Sequence, residues 1–493
     1  MRRTAIVIGY FCVISTLAWG AESSSNFEKY WPTWRGPNAT GVAPEADPPM
    51  EWSENKNVRW KISIPGKGHS SPIVWGDHVF VTTAIETDKP IDPKLIEAAQ
   101  QRQQNRFGHF GRREGSRPRE DDRHSPRRGD DDGPPRREEG VRGSEGQRSS
   151  FMRGVQPTKI YHFDILALNR GDGGIVWQRT AHEAFPHEGT HNEGSWASNS
   201  LVTDGESVYA YFGSRGLYSY DMQGNSKWEK DFGNMTIKLG FGEGSSPVLY
   251  GETIIVNWDH EGQSFIIALD KKTGQERWKV NRDEPTSWST PIVVEHNGRP
   301  QVITSATNAT RSYNLATGEL IWECGGMTMN TIPSPVSAEG MVYVTSGFRG
   351  NALQAIHLAS AFGDISGNEK AVVWEYDRDT PYTPSPLLYG DKLYFLKRND
   401  SILSCFNVST GQAYYGPQRM EGIEGNVFAS PVGAANRVYL SGGNGTTLVI
   451  KHGPQFEVIA QNVLDSSFTA SPAIVDKEIY LRGDKYLYCI AAN

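Results

Sequence analysis

Ala268-Leu-Asp270-Lys-Lys-Thr273-Gly274-Gln-Glu-Arg-Trp278 writes a strand end, a tight turn and a returning strand in a single short run. Asp270 is placed to fold its carboxylate back onto the backbone as an Asx turn. Gly274 supplies the left-handed conformation that such a turn needs and that a side chain resists. Trp278 falls on the returning strand, where a large flat ring can wedge between neighbouring sheets. The pattern is A-x-D-x-x-T-G-x-x-x-W.

The unit recurs with drift. Ser312 to Trp322 keeps Asn314, Thr317 and Gly318; Ala167 to Trp177 keeps Asn169, Gly173 and Trp177. Ser219 to Trp228 keeps Asp221 in a shorter form, and Cys405 to Tyr415 keeps Asn407, Thr410 and Gly411 with Tyr415 in place of Trp. Trp374 follows a longer excursion, and the copy ending at Val458 is the most decayed. A second marker precedes each unit: Ser71-Pro72, Ser198-Asn199, Ser246-Pro247, Thr290-Pro291, Ser334-Pro335, Ser385-Pro386, Ser430-Pro431 and Ser471-Pro472. From the second marker on, they recur every 41 to 51 residues. Each period holds four short strands, which describes a propeller blade and not a solenoid coil.

The last unit stops at Tyr488-Cys-Ile490, its third strand, so one outer strand is missing. Asn57 to Ile64, which lies before the first marker and carries Trp60, is the donor that completes it. The expected fold is all-β: an eight-bladed propeller of four-stranded antiparallel blades, its last blade closed by an N-terminal strand.

The repeat resembles that of the quinoprotein-like PQQ-repeat family, to which quinoprotein alcohol dehydrogenases and the outer-membrane assembly lipoprotein BamB belong. The resemblance spans roughly residues 57–493 and is specific for fold; one fold hosts unrelated activities.

Around the propeller the chain divides into residues 1–20, an N-terminal extended segment at 21–56, and the blades. Residues 1–20 read as a signal peptide: Arg2 and Arg3, an apolar run from Ala5 to Leu17, and Ala18-Trp19-Gly20 as a cleavage site. The run is short for a membrane span and no other stretch approaches one, so a soluble periplasmic or secreted protein is expected. A net charge of -7 argues against a dedicated nucleic-acid binder. With Cys12 inside the expected signal peptide, Cys324, Cys405 and Cys489 remain, an odd number at wide spacing that forms no disulfide framework. Between the second and third strands of blade one, residues 86–159 form an insertion. Residues 101–150 carry thirteen Arg, no Lys and ten acidic residues, a composition expected to stay disordered, with a helical turn near Pro93 to Gln104.

Three groups of residues are candidates for a site. Those preceding the markers, His69, Trp196, Glu243, Trp288, Thr331, Tyr382, Phe428 and Phe468, are expected to face the funnel mouth, either as an aromatic collar for a planar or sugar-like ligand or as an axial plug. The loops between second and third strands carry Arg215, Asp259, His260, Glu261, Arg311, Arg349, Arg398 and Arg482, either a clamp for carboxylates or sulfates or charge at exposed strand ends. His187-Glu-Gly-Thr-His191 matches the zincin pattern in letters, but Pro186 and Gly189 argue against the helix that chemistry needs. The segment is expected to be a polar connection between blades, with His182, His187 and His191 as the alternative loop metal site.

Three functions follow. The first is a monomeric binding and scaffold module for a protein or glycan at the funnel face. The second is a dehydrogenase using PQQ with Ca²⁺; the resemblance implies a quinone held between a Trp and a vicinal disulfide, with an Asp base. Trp196 or Trp288 would be the floor and Asp259 the base, but the sequence has no adjacent cysteines and no C-x-x-C-H. The third is a carbohydrate-active enzyme using the funnel's His and Glu, for which no paired carboxylates stand at a readable spacing.

Overall fold

The computed structural model describes residues 27–102 and 154–492. The expected signal peptide and most of the Arg-rich stretch lie outside the described residues. Eight sheets succeed one another around an axis, each built on four antiparallel strands, and two of them carry a fifth, parallel strand. Blade 1 is Ile73–Trp75, His78–Glu86, Tyr161–Asn169 and Ile175–Ala184; blade 3 is Val248–Tyr250, Thr253–Trp258, Ser264–Asp270 and Glu276–Arg282. In blade 8 the three strands Ala473–Val475, Glu478–Arg482 and Leu487–Ala491 are completed by Val58–Ile62, which pairs antiparallel with the last of them. The closure inferred from Trp60 is the closure observed.

The turn chemistry repeats as the sequence suggests. Asp270 Oδ1 accepts from the N–H groups of Lys272 and Thr273, each at 3.0 Å, and Asn314 and Asn407 do the same in their blades. Gly274 has φ +68°, and a Cβ there would lie 2.6 Å from the ring of Trp228. That close approach shows what the glycine is for. The outer-strand Trp of one blade lies flat on the turn glycine of the next, and its indole N–H donates to a main-chain carbonyl of that turn. Trp60 bonds Arg170, Trp177 Met222, Trp228 Lys271, Trp278 Leu315 and Trp374 Val408, at 2.8–3.0 Å. Thus the D/N-x-x-T-G turn and the Trp are two halves of one lock between successive blades. Where blade 5 replaces the turn by an excursion, Gly363–Asp364 instead adds parallel to the outer strand of blade 4, and Trp322 turns inward to Gln301.

At the axis the markers form a closed ring. The backbone N–H of Ser71 donates to the Ser200 hydroxyl. Ser200 donates in turn to Ser246, then Thr290, Ser334, Ser385, Ser430, Ser471 and back to Ser71, each at 2.9–3.1 Å. The second blade therefore uses Ser200, not Ser198, as its marker. All eight residues are buried, so each hydroxyl satisfies an N–H that water does not reach. Ser246→Ala is expected to cost about 1–3 kcal/mol by orphaning the Ser200 N–H, read as a shift in urea midpoint. Ser246→Thr, which keeps the hydroxyl as Thr290 does, should retain most of the stability.

Residues 27–56, read from sequence only as an extended segment, form a strap across the lower face, the face of the hairpins joining first to second strands. Trp31 pairs with Val74 of blade 1, and the Thr203 N–H of blade 2 donates to the Pro32 carbonyl. Arg35 then reaches the axis and donates to the carbonyls of Pro386 and Pro431 in blades 6 and 7, at 2.7 and 2.8 Å. Val42–Ala43 adds parallel to the innermost strand of blade 7. Beyond it the chain fills the seam between blades 7 and 8, where Trp52 stacks on Tyr439 at 6.3 Å.

Candidate functional site

The upper face carries the connections between blades and the loops between second and third strands. The residues preceding the Ser/Thr ring do not form one collar, because they stand two, three or four positions before their ring hydroxyl. Phe468 is fully buried against Tyr488 between the blades and leaves the funnel. Thr331 is buried too, its carbonyl taking the Trp288 N–H at 2.9 Å. Trp288, Tyr382 and Phe428 remain half-exposed. The Trp288 indole N–H is fixed to the Gly242 carbonyl at 2.7 Å, and Tyr382 stacks on Phe348 at 4.9 Å. These rings are held by the wall and offer faces to the funnel.

Where blade 8 meets blade 1, Arg482 is buried and donates to the Ser70 carbonyl at 3.1 Å and to the Ser70 hydroxyl. It has no carboxylate partner among the described residues, and burial lowers its pKa to about 9. Gly68 lies against it; a Cβ there would sit 2.4 Å from Arg482 Nη2. His69 is beside them, its pKa pushed down to about 3 by burial first, then by Lys67 and Arg482.

A second cluster lies on blade 2, between the connection from blade 1 and the connection to blade 3. His187 Nδ1 accepts from Arg215 at 3.0 Å while its Nε2 faces the Met235 carbonyl at 2.7 Å, an arrangement that fits the neutral ring. Its pKa is pushed down to about 4 by burial, then by Arg215. Glu243 accepts from the Ser214 N–H at 2.6 Å, and burial, the leading cause, raises its pKa. Trp196 donates to the Glu188 carbonyl at 3.0 Å and packs on Tyr161. The cavity among these groups is ≈ 20 Å³, which holds about one water molecule and no substrate. As expected, residues 187–191 are not helical. His182 bonds Tyr218 instead of joining His187 and His191, and among the described residues no three His, Cys, Asp or Glu are placed to hold a metal.

Most of the loop charges are spent on the wall. Asp259 is fully buried and takes Arg282 at 2.8 and 3.0 Å, Ser287 at 2.7 Å and Asn257 at 3.0 Å. Arg282 passes its remaining arm to Thr304 and Tyr313. His260 accepts from the Thr236 N–H and Glu261 from Thr286. Arg311 is held by Glu284, Asp283 and Glu323 at 2.7–2.9 Å. Arg349 and Arg398 stand exposed on residues with φ +53° and +49°. Sequence reading missed Arg282, whose only signal is its place at the end of the outer strand of blade 3.

This geometry does not fit a quinone with its cation. The Asp that would act as base is consumed by Arg282, and Cys324, Cys405 and Cys489 are buried and free in separate blades.

Two overlapping matches to the family profile described as outer membrane protein assembly factor BamB cover residues 161–328 and 261–493. The chain belongs to this PQQ-repeat family. Among solved structures, BamB from Moraxella catarrhalis is 13% identical, with 68% of this chain and 92% of that chain covered and a TM-score of 0.49. A europium-containing methanol dehydrogenase is 11% identical, with 93% and 91% covered and a TM-score of 0.44. No curated protein sequence matches the chain.

The two most strongly depressed imidazoles give this family member an expected acid response. An unfolded His titrates near 6.5, against about 3 for His69 and about 4 for His187. The unfolded chain therefore binds more protons in that window, so the stability contributed is full above pH ~6.5 and is lost as pH falls through it. The denaturant midpoint should drop between pH 7 and 4.5, and the drop should shrink in a His69→Gln/His187→Gln variant.

Proposed function

We propose that the chain is an exported binding and scaffold module that holds a protein or glycan at its funnel face. The observation that carries this reading is how the funnel's polar groups are used. Asp259, Glu243 and His187 are each bound into the wall, while Trp288, Tyr382 and Phe428 keep half-exposed rings. A fixed aromatic surface recognises shape and apolar or sugar faces at little entropic cost. Proton transfer would need an acid or base poised to exchange, and these groups are committed. Arg482 adds a cation whose partners are the backbone and hydroxyl of Ser70, suited to one carboxylate or sulfate on the ligand.

A photo-crosslinking residue in place of Phe428 or Trp288, expressed in the source cell, tests the reading together with a glycan array. Adducts or retained glycans are expected from the funnel positions and not from Val373 on an outer strand. Neither adduct nor glycan at the funnel would overturn the reading.

A further inference from the structure

The lower face holds a different concavity. The strap hydrogen-bonds to blades 1, 2, 6 and 7 and packs Ala39 against the apolar cluster of blades 4 and 5, while the innermost strands of blades 3, 4 and 5 line a cavity of ≈ 1380 Å³ beside it. Small-molecule pockets are typically about 300–1,000 Å³, so the space suits a longer occupant. Where the strap reaches a strand it satisfies backbone groups: Val42–Ala43 pairs with Val432–Ala434, and the Leu388 N–H donates to the Thr40 carbonyl. No backbone hydrogen bond from outside their own blades reaches Val248–Tyr250, Ile292–His296 or Val336–Ala338, among the described residues. An edge of this kind is a template for another extended segment. Ile292–His296 is the longest of the three, and its half-buried Val293 and Val294 line the cavity together with Trp34.

The charge is one-sided. Six carboxylates line the cavity against two cations, Arg35 and Lys271. Lys271 is spent on Asp204 and Glu252, each at 3.0 Å, and the Arg35 guanidinium on main-chain carbonyls. Glu28, Glu206 and Glu339 are exposed there, with no ion pair among the described residues. We infer that this groove takes an extended, Lys- or Arg-bearing segment of a partner protein, added as a strand to the free edge of blade 4. Its backbone would pair with Ile292–His296 while its basic side chains meet the carboxylates of the rim.

The test uses the purified full chain and a labelled peptide of about ten residues alternating Lys with Val or Thr, long enough to match a strand. Saturable binding by anisotropy is expected. It should weaken about tenfold in a Glu206→Lys/Glu339→Lys variant, and comparably when alternate peptide amides are N-methylated. Trp288→Ala in the funnel should leave it unchanged, which separates this groove from the upper-face reading. Undiminished binding of the N-methylated peptide would overturn strand addition, and undiminished binding by the double variant would overturn the charge argument. Binding of the equivalent Glu peptide, or self-association of the chain alone that the double variant abolishes, would overturn the proposal as well, the latter by making a second copy the occupant.

Discussion

Trp60→Ala is expected to lower the unfolding free energy by about 3–5 kcal/mol, the range for emptying a buried Trp site. The ring lies on Gly173 of blade 1 and near Tyr480 of blade 8, and its N–H bonds Arg170. Trp278→Ala removes the same lock between blades 3 and 4, where the ring is equally buried at 8% exposure, and should cost a similar amount. The difference lies in what else holds the joint. Blades 3 and 4 follow one another directly along the chain, whereas blades 8 and 1 are joined through Val58–Ile62 and through side-chain bonds alone, from Ser471 to Ser71, Arg482 to Ser70, and Arg170 to Asp476 and Glu478. Deleting residues through Ile62 should therefore abolish cooperative unfolding and leave a chain that aggregates through the bared edge of Leu487–Ala491. A truncated chain that melts as sharply as the intact one would show that the ring does not need its N-terminal strand.

Arg282→Ala should be nearly as damaging, at about 3–5 kcal/mol. Asp259 and Arg282 have no exposed side-chain surface, so the variant strands a carboxylate in a site water does not reach. The pair itself contributes little net stability, because desolvating both charges offsets their attraction. Asp259→Leu with Arg282→Met should accordingly recover part of the loss, although Ser287, Asn257, Thr304 and Tyr313 then lose partners. Urea midpoints of the single and double variants decide this. A double variant less stable than Arg282→Ala alone would mean that the hydrogen bonds, not the stranded charge, dominate.

The blades were legible because their signals are local. An Asx residue, a left-handed glycine and a Trp within one short run dictate a hairpin whatever surrounds it, and counting strands exposed the missing one that Trp60 supplies. The funnel was less legible for a physical reason. The residues before the Ser/Thr ring approach along irregular connections, so no two-residue alternation says which way a side chain points. Phe468 and Phe428 look alike in sequence, yet one is core and the other wall. The Ser198 register slipped for the same cause, since Ser195, Ser198 and Ser200 compete within six residues and only the hydroxyl partner Ser71 distinguishes them. Asp259 gave no hint of Arg282, whose approach depends on the curl of blade 3. The strap was hidden because a segment that pairs with several blades in turn has no period of its own.

The joint that closes blade 8 sets an order in time. Arg59 reaches Glu478 across 419 residues of chain, so a strand made early is among the last to find its neighbours. Contacts this distant in sequence are slow to form, because the intervening chain must be brought together before they return any stability. Until Leu487–Ala491 has been made, Val58–Ile62 has no partner, and every shorter chain is an open arc with an unpaired edge at one end. Losing a handful of residues at the C-terminus should therefore be as harmful as losing the strand near the N-terminus. The ring closes only once Leu487–Ala491 is present for Val58–Ile62 to pair with.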